Sequence, residues 1–330
     1  MRLNFLFLLA LLNSIQPAQA QAELAPITSV EVKGVLPGPG FWQVSNGANN
    51  LWILGSVKPT PKSLQWETIK LERKIAQSQE LLGSVSVTLD TDVGFFAKIG
   101  LIPSLYRARK NPDGKTLKQV LPADVYARWV VLKAKYIGKD DDIEYWRPIF
   151  VAQELYEQAI KKSKMENQNI AWPVAEKLAK KADLLITRPE IKVPLANPKK
   201  FIKDFSAKAL NDTACFDKTL LSIEQDVQNM SRRGMLWSEG NVSELQKMSF
   251  VDASGACVDA ILGSGALQGS AMQGIKQRAI NTWLESASQA LAKNANTVAV
   301  INMADLLKAD GYLALLQAKG YTVVAPVDNP

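Results

Sequence analysis

The chain contains no histidine. That absence removes the commonest metal ligand, the usual general base near neutral pH, and every Ser-His or Cys-His nucleophile arrangement. Any catalysis would have to rest on carboxylates, Lys, Tyr, Ser or backbone groups. Cysteine is almost as scarce, with Cys215 and Cys257 alone, so a structural zinc site has no support. Past the N-terminus no segment is apolar over the roughly 20 residues needed to cross a bilayer. There is no internal repeat and no low-complexity tract. No phosphate-loop lysine follows Ser254-Gly255 or Gly263-Ser264-Gly265, which read as linkers.

What is present at the N-terminus is specific. Arg2 precedes an apolar run over residues 3–12, the chain then turns polar, and Ala18-Gln19-Ala20 gives the small-x-small pattern of a signal peptidase site. Residues 1–20 are therefore expected to be a cleavable signal peptide, cut after Ala20, with Ala22 as the fallback. The apolar run is too short for a membrane anchor, and no Cys follows it for lipidation. The mature chain, residues 21–330, is expected to be soluble, not membrane-spanning, and periplasmic or secreted. In such a compartment Cys215 and Cys257 are most simply a disulfide, two buried thiols being the alternative. The net charge of +7 would suit acidic partners. Its lysines, however (Lys161, Lys162, Lys177, Lys180, Lys181, Lys199 and Lys200 among them), fall where solvated helix faces are expected. No nucleic-acid motif accompanies the charge.

Periodicity organises the rest. Phe41-Trp42-Gln43-Val44 and Leu51-Trp52-Ile53-Leu54 flank Ser45-Asn46-Gly47-Ala48-Asn49-Asn50 and read as a hairpin. An amphipathic helix is expected over 66–82, a strand over 84–89 and a buried strand over 184–187. Apolar residues three or four apart make 117–182 helical, with breaks at Pro122, Gly138, Pro148 and Pro173, and 198–291 helical, interrupted near Gly240 and Gly263. The end reads β-α-β: 297–301, one helix over 304–319, then 321–324, with Gly320 as the helix C-cap. The expected fold is α/β (α+β): one domain over 21–330. Its central mixed sheet draws on the N-terminal hairpin and the C-terminal β-α-β, with a helical insertion at about 117–291. Asp140-Asp141-Asp142 with Glu144 lacks EF-hand spacing and reads as an acidic turn. Asn111-Pro112-Asp113-Gly114 reads as a turn, and the eight tryptophans as core.

The hairpin residues, running into Gly55-Ser56-Val57-Lys58, resemble the opening of the TraB/GumN family, an LWxV-S-x-G hairpin leading to Gly-Thr-Ile-His. Cys215, Trp237 and Gly240 are similar to its C…W-x-x-G arrangement. Asp310-Gly311-Tyr312-Leu313 with Leu316, Gly320, Tyr321 and Val323 resembles its closing pattern. The resemblance implies an α/β fold like that of the TIKI proteases and the erythromycin-esterase-like group. It also implies two Gly-x-x-His motifs and an acidic residue placing a divalent metal, which would lower the pKa of a bound water.

Each implied site position departs from the pattern. Gly55 is kept, but Lys58 replaces the first histidine. In Asn302-Met303-Ala304-Asp305, Asp305 replaces the second. The acidic position falls at Ser84, or at Asp90 in a shifted register. Lys58 and Asp305 read either as an ion pair standing where a metal stood or as solvent-facing loop charges. The expectation is an exported pseudoenzyme that binds an envelope ligand or protein and takes no metal or other cofactor. The alternatives are an exported hydrolase or peptidase with an altered site, and an accessory factor for envelope or exopolysaccharide assembly.

Overall fold

A computed structural model describes residues 36–91, 94–208, 210–248, 253–263 and 272–328. The expected signal peptide, residues 21–35 after it, and Ser264-Gly265 lie outside the described residues.

Ten strands occur among the described residues. They are β1 (Phe41–Asn46), β2 (Asn49–Ser56), β3 (Thr60–Pro61), β4 (Glu80–Leu82), β5 (Ser86–Asp90), β6 (Met165–Glu166), β7 (Leu185–Thr187), β8 (Glu190–Pro194), β9 (Asn296–Asn302) and β10 (Thr322–Val324). Six of them form one mixed sheet in the order β10-β1-β2-β9-β4-β7. The hairpin is tighter than its apolar runs suggest. Asn46 pairs with Asn49, and only Gly47 and Ala48 turn, with Gly47 in the left-handed region at φ 64°. β1 alternates, with Trp42 and Val44 buried and their neighbours less so. β9 is buried along Thr297 to Ile301, as a parallel strand covered on both faces must be. β2 pairs with β9 in parallel from Asn50–Asn296 to Ser56–Asn302, and β4 and β7 extend that parallel set. The expected mixed sheet from both chain ends is present.

The helices are α1 (Ile69–Ala76), α2 (Phe95–Ala108), α3 (Leu117–Val120), α4 (Ala123–Tyr136), α5 (Pro148–Lys162), α6 (Ala171–Lys181), α7 (Pro198–Ala207), α8 (Thr213–Glu239), α9 (Val242–Lys247), α10 (Ala253–Leu262), α11 (Ile275–Lys293), α12 (Met303–Leu307) and α13 (Tyr312–Ala318). Helix α6 buries Ala171, Ala175 and Ala179 at four-residue spacing, and these small side chains let it lie close on the sheet. α11 adds Trp283, Leu284, Ala287 and Leu291 to the same core. A second core joins α4, α5 and α8 through Trp129, Leu155, Phe216 and Leu220. Arg147, only 1% exposed, donates to the carbonyls of Lys110, Phe205, Ser206 and Lys208, tying the start of α5 to the loop after α2 and to the end of α7. Cys215 of α8 and Cys257 of α10 are joined, with Cα atoms 4.5 Å apart. Four tryptophans (Trp42, Trp129, Trp237 and Trp283) are buried in these cores. The lysines expected on helix faces, Lys161 to Lys200, are exposed.

Several local expectations are corrected. The helix expected over 66–82 ends at Ala76. Glu80-Leu81-Leu82 leaves it to pair between β9 and β7, a three-residue strand with no periodicity to announce it. The strand expected over 84–89 is β5, which pairs with β8 outside the main sheet. The strand at 184–187 is an edge with Leu185 exposed. Pro173 does not break α6, because in the first turn its missing N–H costs nothing. Ser254 and Gly255 are helical in α10. The C-terminal helix is two: Gly311 sits where a Cβ would meet the Asp305 carbonyl oxygen at 2.5 Å, and the chain turns there. Gly320 does cap α13, at φ 89°.

The indole N–H of Trp237 donates to the buried Gly55 carbonyl at 2.5 Å, fastening α8 to the end of β2. Trp237→Phe keeps the ring and removes the donor. We expect a loss of about 1–3 kcal/mol in urea unfolding; an unchanged midpoint would show that this bond contributes nothing.

Candidate functional site

Because β2, β9 and β4 run in parallel, their carboxyl ends lie at one edge of the sheet, where open α/β sheets place ligands. A cavity of about 670 Å³ opens at the ends of β2 and β9. Val57, Lys58 and Pro59 follow β2 into it, and Asn302, Ala304, Asp305, Leu307 and Lys308 follow β9. Helices α5, α8 and α10 supply the facing wall.

The residues singled out in the sequence converge here in part. Gly55 lies just behind the cavity, and a Cβ on it would stand 2.7 Å from the Met303 sulfur and 3.2 Å from the Trp42 ring. Its glycine is thus required by packing. Ser56 beside it donates to the Ile301 carbonyl at 3.2 Å and accepts from Asn169 at 3.1 Å. Asn169 in turn caps α6 by accepting from the Ala171 and Trp172 amides. Asn302 is the cap of α12, accepting from the Ala304 amide at 2.9 Å. Ser84 stands at the end of β4, donating to the Val300 carbonyl at 3.3 Å, outside the cavity lining. Asp90 is remote, at the exposed end of β5.

Lys58 and Asp305 line the same cavity but do not pair. Asp305 is held by Lys308, one turn on, at 3.0 Å. Lys58 is exposed and has no ion-pair partner within 4.0 Å among the described residues. Of the two readings, solvent-facing charges describe them.

The buried charge at this site lies elsewhere, on α8. Thr219, Ser222, Asp226, Met230 and Arg233 recur at helical spacing and form one stripe facing the cavity. Arg233 and Asp226 make a two-pronged pair, 2.8 and 2.6 Å, with side chains 7% and 4% exposed. Tyr156 of α5 faces them. Burial pushes its phenol up to about 12, the Arg233 charge opposing this and the Asp226 charge adding to it. From α8 the sequence singles out Cys215 and Trp237, but not the polar stripe that faces the cavity. The available signal was polar residues at helical spacing, which also describes any solvated face.

The metal implied by the resemblance does not fit these residues. An ammonium at position 58 repels a cation, and the Asp305 carboxylate already accepts from Lys308. Among the described residues, no three His, Cys, Asp or Glu side chains converge to hold an ion. In the acidic turn, Asp142 pairs with Lys110, and Asp141 and Glu144 pair with Lys133.

The sequence model of the TraB/PrgY/gumN family matches residues 40–325, and the chain belongs to that family. No curated protein and no solved structure matches it.

Two double-mutant cycles separate the pairs. Arg233→Met alone leaves Asp226 buried and uncompensated and is expected to cost about 3–5 kcal/mol, with Asp226→Leu in the same chain restoring much of it. Lys58→Met and Asp305→Asn should show no coupling in the same unfolding assay. A coupling for Lys58 and Asp305 as large as that for Asp226 and Arg233 would contradict the geometry.

Proposed function

We propose that this chain is an exported protein of the cell envelope that acts by binding in the strand-end cavity, without hydrolysis. The observation that carries this reading is the pair of replacements at the strand ends. Where the family pattern would put two metal-ligating imidazoles, this chain has Lys58 and an Asp305 engaged by Lys308. The cavity volume falls in the range of about 300–1,000 Å³ common to small-ligand sites, so a place to bind persists although the hydrolytic groups do not. Export is supported by the signal-like features of residues 1–20 and by the joined Cys215–Cys257 pair, since disulfides persist in oxidising compartments. Among the described residues no helix is long and apolar enough to cross a membrane.

Two measurements test this. Protein purified from its own export route should begin at Gln21; N-terminal sequencing that returned Met1 would show that no signal peptide is cleaved. Elemental analysis after dialysis should find far less than one transition metal per chain. Near one zinc or manganese per chain, with turnover of a peptide library lost on Lys58→Met, would replace the binding reading with an altered-site hydrolase.

A further inference from the structure

The cavity is unevenly furnished, and the unevenness points to what it takes. Its apolar lining includes Ile149, Met230, Met248 and Ile261 from the helical insertion, together with Val57, Pro59 and Leu307 from the strand-end loops. Its charged lining is three cations and two carboxylates. Arg233 is matched by Asp226 in a buried, two-pronged pair, and Lys308 is matched by Asp305. Each carboxylate therefore faces a cation of its own, and Lys58 remains as the charge with no carboxylate among the described residues. Among the described residues, a cationic ligand would meet only carboxylates already engaged, whereas an anion would meet a solvated ammonium beside an apolar wall.

We infer that the cavity takes a small amphiphilic anion, its acidic group on Lys58 and its apolar body against Ile149, Met230, Met248 and Ile261. This rests on the reading of the chain as a binding protein and adds the chemical class of the ligand. It also assigns a use to the Lys58 replacement. An ammonium that repels a metal ion attracts the anionic end of a ligand in the same place, so one substitution would both abolish the old chemistry and create a new preference. The lysine ammonium is a compact point charge on a flexible stem, suited to a carboxylate, sulfonate or phosphate without demanding a fixed approach angle.

The test compares two fluorescent probes that share a ring system, the anionic 1-anilinonaphthalene-8-sulfonate and the neutral N-phenyl-1-naphthylamine, on the full mature chain. The anionic probe should bind at one site roughly two- to fivefold more tightly than the neutral one, as a single solvated charge contact allows. Lys58→Met should erase that preference while leaving the neutral probe unchanged, and Lys58→Arg should keep it. Ile261→Trp, at an exposed position of the lining, should weaken both probes by narrowing the cavity. Equal binding of both probes, with Lys58→Met silent and Ile261→Trp effective, would overturn the anionic class and leave the binding reading standing. If Ile261→Trp changes neither probe, or neither probe binds, the cavity is not the binding site and both readings fall.

Discussion

The parallel pairing of β2 with β9 is the constraint on which the remaining structure depends. It joins residues 50–56 to 296–302 across nearly the whole chain, and the chain that leaves at the carboxyl end of β2 must cross back to the opposite edge of the sheet to enter β9. Two consequences follow. The loops after β2 and β9 become neighbours, which is why Lys58, Asn302 and Asp305 share one cavity. The insertion that returns the chain must also be anchored back to the strand ends. Trp237 and Trp283 do this, their indole N–H groups satisfying the carbonyls of Gly55 and Gly83 at the ends of β2 and β4. Burying a carbonyl without such a partner would cost about 1–3 kcal/mol, so the tryptophans hold the sheet and the helical wall in one register.

The cavity lies at the join of two cores. One is the sheet with α6 and α11; the other is the helical cluster of α4, α5 and α8. The Cys215–Cys257 bridge fastens α10, which lines the cavity through Ser254, Cys257 and Ile261, to the start of α8. In the loop-entropy picture a bridge of this span restrains the unfolded chain by about 4 kcal/mol. The wall opposite the strand ends is thus covalently held.

Within this frame, the proposed reading separates the family relationship from the chemistry. A hydrolytic metal site needs lone pairs aimed at an ion, and the two strand-end positions offer an ammonium and a carboxylate already occupied by Lys308. The fold's machinery for positioning residues survives: Gly55 still admits Met303 against the strand, and Asn302 still caps the helix that presents Asp305. In the proposed reading the group presented differs from the family pattern, and with it the sign of the ligand the edge would attract.

The sequence alone determined the class of fold. The hairpin, the C-terminal β-α-β with Gly320 as cap, and the helical character of the insertion are local patterns of period 2 and 3.6, and they hold because each element's own residues specify it. The lack of histidine equally ruled out imidazole chemistry before any coordinates. Tertiary structure alone decided the rest. Glu80-Leu81-Leu82 is a strand only because β9 and β7 stand on either side of it, and α12 and α13 separate because Gly311 lies against the Asp305 carbonyl. Whether Asp305 met Lys58 or Lys308 was a competition between a contact across the fold and one a single turn away, and the short contact formed. The buried Asp226–Arg233 pair was invisible for a related reason: two charges seven residues apart on a helix share a face, but only the packing of α5 and α10 over that face makes it buried instead of wet.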